Sequence, residues 1–138
     1  QSWCVEHGIS DMIYFLGWIP HNELGRVYSE AHIILLPSQS EGWPKVLSEA
    51  MAYGVVPIAS NVSSIPQILN ECRCGRAVDP EDLEGFCQAI MDYVNHPDLW
   101  EREKISGIKF AGKFTYTAYL DSVKNMFLKA WGINLDRP

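Results

Sequence analysis

Residues 35–59 read LLPSQSEGWPKVLSEAMAYGVVPIA, and the apolar pattern changes twice within them. Ile33 to Leu36 is an apolar run with no polar face, stopped by Pro37 and Ser38. Pro44 to Tyr53 has helical spacing and closes on Gly54, a residue suited to the left-handed position after a helix. Val55 to Ala59 is apolar again and reads as the next strand. Strands that are apolar on both faces must be covered on both faces. When helices join them, the economical solution is a parallel sheet between helical layers.

The same alternation extends outward. Met12 to Leu16 is a β-rich run ending at Gly17, and it reads as an earlier strand. His21 to Ala31 carries Leu24, Val27, Tyr28 and Ala31 on one helical face. Arg76 to Val78 makes a fourth, weaker strand. Asp79 then supplies an N-cap, Pro80 a first helical position, and Glu81 and Asp82 an acidic first turn. Leu83, Phe86, Cys87, Ile90 and Val94 follow at helical spacing. A second helix begins near Pro97, and a third carries Tyr116, Tyr119, Leu120, Val123, Phe127 and Ala130 on one stripe. The expectation is an α/β, Rossmann-like, doubly wound parallel sheet with flanking helices. Residues 1–138 form one domain, and 97–138 are its C-terminal helical segment. Two fates are open for that segment: all three helices cover this sheet, or one reaches across to another domain.

Composition narrows the function. A chain of 138 residues fits one domain, and its net charge of −6 argues against a broad nucleic-acid or anionic-membrane surface. Basic character is confined to Lys104, Lys109, Lys113, Lys124 and Lys129. No apolar run approaches the roughly 20 residues that span a bilayer. No basic segment followed by an apolar one opens the chain, so no signal peptide is expected. The expected location is the cytoplasm, with the inner face of the membrane as a variant. Cys72 and Cys74 form a C-x-C without a second pair at zinc spacing, and Cys4 and Cys87 stand apart. They are expected to be the reduced cysteines of a cytosolic protein.

In doubly wound sheets ligands bind at the carboxyl ends of strands, beside helix N-termini. The loop Ser38 to Trp43 occupies such a place. Pro44 has no N–H, so the donors at the helix start are expected from Lys45, Val46 and Leu47, an anion site suited to phosphate. Glu41 precedes the helix. Glu49 lies about 7.5 Å along its axis from Pro44 and leans back toward the same mouth. On the residues alone, the plainer reading is favoured, with Glu41 a dipole-stabilising loop acid and Glu49 a solvated helix acid. Trp43 reads either as a sugar-stacking ring or as lid packing. His7, His21, His32 and His96 do not neighbour Glu41 in sequence, and His32 reads as a packed strand-start residue. Trp3, Trp100 and Trp131 read as core or interface anchors.

These residues resemble the signature of the retaining, GT-B-fold glycosyltransferases of glycosyltransferase family 4. The resemblance rests on Pro37-Ser38, Glu41-Gly42, Glu49, Ala50-Met51-Ala52, Gly54 and Pro57-Ile58-Ala59. Upstream it includes Phe15, Gly17 and Leu24 to Ala31; downstream, Ile65-Pro66-Gln67-Ile68, Gly75 and Val78-Asp79-Pro80. It implies that Glu41 holds the transferred sugar at its reacting centre and that Ser38, Gly42, Trp43, Lys45, Val46 and Leu47 contact sugar and diphosphate. It implies that Glu49 binds the ribose hydroxyls, while Gly17, Trp18 and Ile19 lie near the base. A metal-binding D-x-D is absent from both the family and this sequence, so no metal and no cofactor are expected; the donor is a UDP- or GDP-linked sugar. The diphosphate charge then falls to amides and cationic side chains.

Two departures stand out. Position 44 is Pro where the family often has Gly. The segment that usually opens the domain, with two strands and a diphosphate-clamping Arg and Lys, is not in the sequence, nor is the acceptor-binding N-terminal domain. Lys45 is a partial substitute as a cation, or simply a solvent-facing lysine. The chain is therefore expected to supply the donor half of sugar transfer to a glycan or lipid and to be inactive alone. Two other readings remain: a hydrolase or epimerase of nucleotide sugars on the same cradle, or a non-catalytic module that self-associates as a homodimer through unpaired strand edges at Met12 and Ile33.

Overall fold

A computed structural model describes residues 2–42 and 44–135. Its centre is a parallel sheet of β1 (Ile33–Leu36), β2 (Val56–Ser60) and β3 (Arg76–Val78), in that order. Leu36 stands opposite Ala59, and Ala59 opposite Ala77. The helices are α1 (Ser2–Glu6), α2 (His21–Glu30), α3 (Lys45–Ala52), α4 (Ile65–Cys72), α5 (Leu83–Asn95), α6 (Pro97–Ala111) and α7 (Tyr116–Trp131). The α/β class with flanking helices is thus as the apolar pattern requires.

Every residue of β2 is buried. Val56, Ile58 and Ala59 share one core with Leu47 and Met51 of α3, Ile65 and Leu69 of α4, Phe86, Ala89 and Tyr93 of α5, and Phe110 and Ala111 of α6. A smaller cluster joins Tyr28 of α2 to Ala50 and Val55. Pro57 sits in the middle strand without an N–H. The chain entering β3 comes so close that a Cβ on Gly75, at φ +92°, would collide with the Pro57 carbonyl oxygen. Glycine is required there.

Two expectations need correction, and one of two open alternatives falls. Met12 to Leu16 is not a strand. Ser10–Met12 form a 3-10 turn, Ile13 is extended, and Met12, Tyr14, Phe15 and Leu16 are exposed. A β-prone run becomes a strand only beside a partner, and no strand among the described residues lies along it. The helix after β3 starts later than Asp79: that side chain accepts the Glu81 amide in a turn, and Asp82 is the N-cap, accepting from Gly85 N–H at 2.8 Å. The stripe of α7 does not cover the sheet, for no residue of that helix is buried. Its ends are nonetheless well formed, with Thr115 accepting from the Ala118 amide and Gly132 left-handed.

Beside their apolar contacts with the core, α5 and α6 are tied to the β3 entry by one carboxylate. Glu103 of α6, 8% exposed, accepts from the Gly75 amide at 2.9 Å and the Tyr93 hydroxyl at 2.6 Å. Arg76 Nη1 lies 3.0 Å from both of its oxygens, and the guanidinium sits over the Tyr93 ring. Burial, and then the neighbouring carboxylate, push the Tyr93 phenol far above its ordinary range, so it remains a donor. Three groups, from α5 and the β3 entry, thus share one anion on α6. Removing it leaves the Gly75 amide and the Tyr93 hydroxyl without their acceptor and Arg76 without its counter-charge. Glu103→Ala is expected to lower unfolding free energy by about 3 kcal/mol in urea titrations. A loss below about 1 kcal/mol would mean that water replaces the carboxylate.

Candidate functional site

The β1–α3–β2 crossover sets the N-terminus of α3 at the carboxyl edge of the sheet. Pro44 is the N-cap of α3, with φ −72° and ψ 118°, and not its first helical residue. The Leu47 amide closes onto the Pro44 carbonyl at 3.0 Å. Leu47 is also fully buried. Of the three amides expected to face a phosphate, those of Lys45 and Val46 lack an intrahelical acceptor, and that of Leu47 is already used. The three-amide site expected from the sequence is thus reduced to two amides without an intrahelical acceptor. Lys45 is exposed and Val46 half-buried. Ser48 does not extend the cradle, because its hydroxyl donates to the Lys45 carbonyl at 2.8 Å.

Glu41 is half-buried in the loop before α3, Ser38 half-buried near its start, and Gly42 exposed. The loop is anchored to the next one along the sheet edge, where the Ser64 hydroxyl donates to the Gly42 carbonyl at 3.1 Å. Deeper, the Ser60 hydroxyl donates to the Leu36 carbonyl, tying the ends of β1 and β2 together. Trp43 lies outside the described residues.

Glu49 faces α2. Its Oε1 is 3.8 Å from His21 Nε2, within ion-pair range, and its side chain is 39% exposed. The Tyr28 phenol titrates above its usual range, chiefly because it is buried and secondly because the Glu49 carboxylate disfavours a phenolate nearby. Tyr28 and Tyr53 rings stand 5.8 Å apart, which seats α2 against the outer face of α3. Gly17 is left-handed at φ +66°, and the turn that follows carries Trp18, 85% exposed, and half-buried Ile19 into the start of α2. These two line a cavity of about 530 Å³ with Pro20, Asn22, Glu23 and Arg26. His21 therefore links the Gly17–Ile19 turn to Glu49. The sequence reading had left His21 unassigned. The usable signal was its place in the first turn of a helix whose apolar face must meet α3.

A family model described as "Glycosyl transferases group 1" matches residues 1–109. The chain belongs to that family. The glycosyltransferase domain is 29% identical over 113 residues to the O-antigen chain mannosyltransferase B of Escherichia coli, covering 81% of this chain and 29% of that protein. It is 24% identical over 130 residues to the D-inositol 3-phosphate glycosyltransferase of Streptomyces coelicolor, covering 94% and 28%. Among solved structures, the sucrose-phosphate synthase of Thermosynechococcus elongatus superposes with a TM-score of 0.80 at 25% identity. That match covers 95% of this chain and 33% of the synthase. The domain thus spans about a third of the proteins it matches, and its sheet and helices are those of a GT-B glycosyltransferase. Among the described residues no helix is long and apolar enough to cross a membrane.

The Glu49–Tyr28 proximity is testable without ligand. Replacing Glu49 by Gln removes the charge that opposes phenolate formation, so the Tyr28 titration should move down. It should stay above that of a free tyrosine, because burial is the larger cause. Carbon-13 NMR of the labelled phenol reads this out. An unchanged Tyr28 titration in Glu49→Gln would show that Glu49 points away from α2.

Proposed function

We propose that this domain supplies the donor site for transfer of a sugar from a nucleoside-diphosphate sugar to a glycan or lipid acceptor, with retention of configuration. The observation that carries the reading is the joint placement of two free helix amides, Glu41 before them, and Glu49 beside the Gly17–Ile19 turn. The diphosphate meets the Lys45 and Val46 amides at the positive end of α3, with the Lys45 side chain as a cation. Gly42 and Trp43 approach the sugar and diphosphate, and the Ser38 hydroxyl is within the same loop. Glu49 accepts hydrogen bonds from the ribose hydroxyls. Trp18 and Ile19 offer apolar surface to a base held over the Gly17 turn, UDP or GDP being the nucleotides to test first.

Glu41 faces the transferred sugar. As the bond to the diphosphate breaks, positive charge develops at the anomeric carbon and negative charge on the leaving oxygen. Helix amides stabilise the second, and a carboxylate near the ring stabilises the first. With acceptor arriving on the face the nucleotide leaves, configuration is retained. In this scheme the leaving group is stabilised by dipoles and cations, so the domain supplies no metal ligand or cofactor. Both domains of the whole protein are needed for turnover, the acceptor being held by the other.

Titration of UDP, GDP and ADP into the domain, followed by backbone amide shifts, tests the cradle. One nucleotide should move Lys45, Val46 and Glu49 together, while Leu47 moves less because its amide is already bonded. Glu49→Ala should weaken that nucleotide about tenfold, the size of a lost hydrogen bond to a charged group. If affinity is unchanged in Glu49→Ala, the ribose lies elsewhere and the assignment of roles fails.

A further inference from the structure

Arg73, the C-cap of α4, is left-handed at φ 52° and ψ 44°, an uncommon conformation for a residue with a side chain. It separates Cys72 from Cys74. The distance between the Cα atoms on either side of one residue depends on that residue's φ and ψ alone, and a left-handed residue mirrors a helical one. Helix dimensions then put the Cys72 and Cys74 Cα atoms about 5.4 Å apart. Disulfides prefer about 4.4–6.8 Å with a mode near 5.5–6 Å, whereas an extended residue would hold the pair at about 6.6 Å. The backbone is already set for a bond between these sulfurs.

The side chains are set as well. Both cysteines are free and buried, with the Cys72 thiol turned onto the Cys74 backbone. The neighbouring Cys74 side chain holds the Cys72 thiol below its usual range, against the opposing effects of burial and of the Glu103 charge, and Cys72 in turn pushes Cys74 up. The Cys72 sulfur also lies 3.3 Å from the Leu69 carbonyl and 3.4 Å from that of Cys74. The two differ in access. Cys74 is 1% exposed and sealed by α6 and α3: a Cβ on Gly107 would meet its sulfur at 2.8 Å, with Met51 next to it. Cys72 lines a cavity of about 260 Å³, with Lys109 and Lys113 against the single carboxylate of Glu71. An anionic reagent entering there meets Cys72 first.

We propose that Cys72 and Cys74 are a redox-active pair that small, acidic disulfides oxidise by way of Cys72. The Cys72 sulfur, having given up its proton, attacks one sulfur of R–S–S–R. A Cys72–S–S–R bond forms and the first RS⁻ leaves, taking a proton to become RSH. Cys74 then attacks the Cys72 sulfur, a Cys72–Cys74 disulfide forms, and the second RS⁻ leaves with the Cys74 proton. Two protein thiols are oxidised and one small disulfide is reduced to two thiols. The product is confined to the junction of α4 and β3, directly ahead of Gly75.

Oxidised glutathione is the probe, applied to the native chain and, in parallel, to the chain in urea, followed by alkylation and tryptic mass spectrometry. Trypsin cuts after Arg73, so a Cys72–Cys74 bond holds two peptides together that otherwise separate. Native protein should yield the linked pair, with exposed Cys87 as an internal reference carrying a lasting glutathione adduct. Cys74→Ser should trap glutathione on Cys72, and Cys72→Ser should leave Cys74 unmodified, with folding of both checked by circular dichroism. A linked pair that forms only in urea overturns the proposal. So does a folded Cys74→Ser chain in which Cys87 is modified and Cys72 is not.

Discussion

The structure depends on the complete burial of β2. A parallel strand with both neighbours paired and both faces covered has no freedom to rotate or slip, since a one-residue shift would move every side chain to the other face. Leu47 and Met51 share the core with Val56 and Ile58, so α3 is fixed relative to that strand through side chains that are fully buried. The short loop from β1 then has to deliver Pro44 to the carboxyl edge of the sheet. The exposed amides of Lys45 and Val46, the position of Glu41 and the outward tilt of Glu49 all follow from that placement. Rigid support beneath and polar groups above is what a binding site for a charged ligand requires.

Much of this was legible because it is local. Ile33–Leu36, Lys45–Ala52 and Val56–Ser60 each carry a period that only one element satisfies, and Gly54 closes the helix between them at φ +84°. Glu49, read from the sequence as leaning back along α3, stands between solvent and α2. The failures were of two physical kinds. Met12 to Leu16 has the composition of a strand, yet pairing is a property of the neighbour and not of the run. At Asp79 and Asp82 two side chains were both able to cap; the first made a tight turn instead, and the helix began three residues on. The use of the Leu47 amide by Pro44, and the approach of His21 to Glu49, are outcomes of cap geometry and helix–helix packing. No spacing rule encodes them.

Two apolar surfaces remain outward: the segment from Met12 to Trp18 and the α7 stripe with Tyr116, Tyr119, Leu120 and Trp131. Neither contributes to the core around β2. The opposite holds for the α5–α6 pair, whose Phe86, Ala89, Tyr93, Phe110 and Ala111 belong to that core. Glu103 turns it into a buttress, gathering the Gly75 amide, Arg76 and Tyr93 at the entry to β3. The same entry holds the Cys72–Cys74 turn, so a buried carboxylate and two buried thiols sit together beside β3.

The central claim is that nucleotide lies along α3, phosphates at its N-terminus and ribose at Glu49. Intermolecular nuclear Overhauser effects between the ribose protons of a bound nucleoside diphosphate and the protein measure this directly. The account predicts contacts from ribose to Glu49 and His21, and from the base to Trp18 or Ile19. Ribose contacts instead to the groove of His32, Val94 and Trp100, at the opposite end of β1, would contradict it.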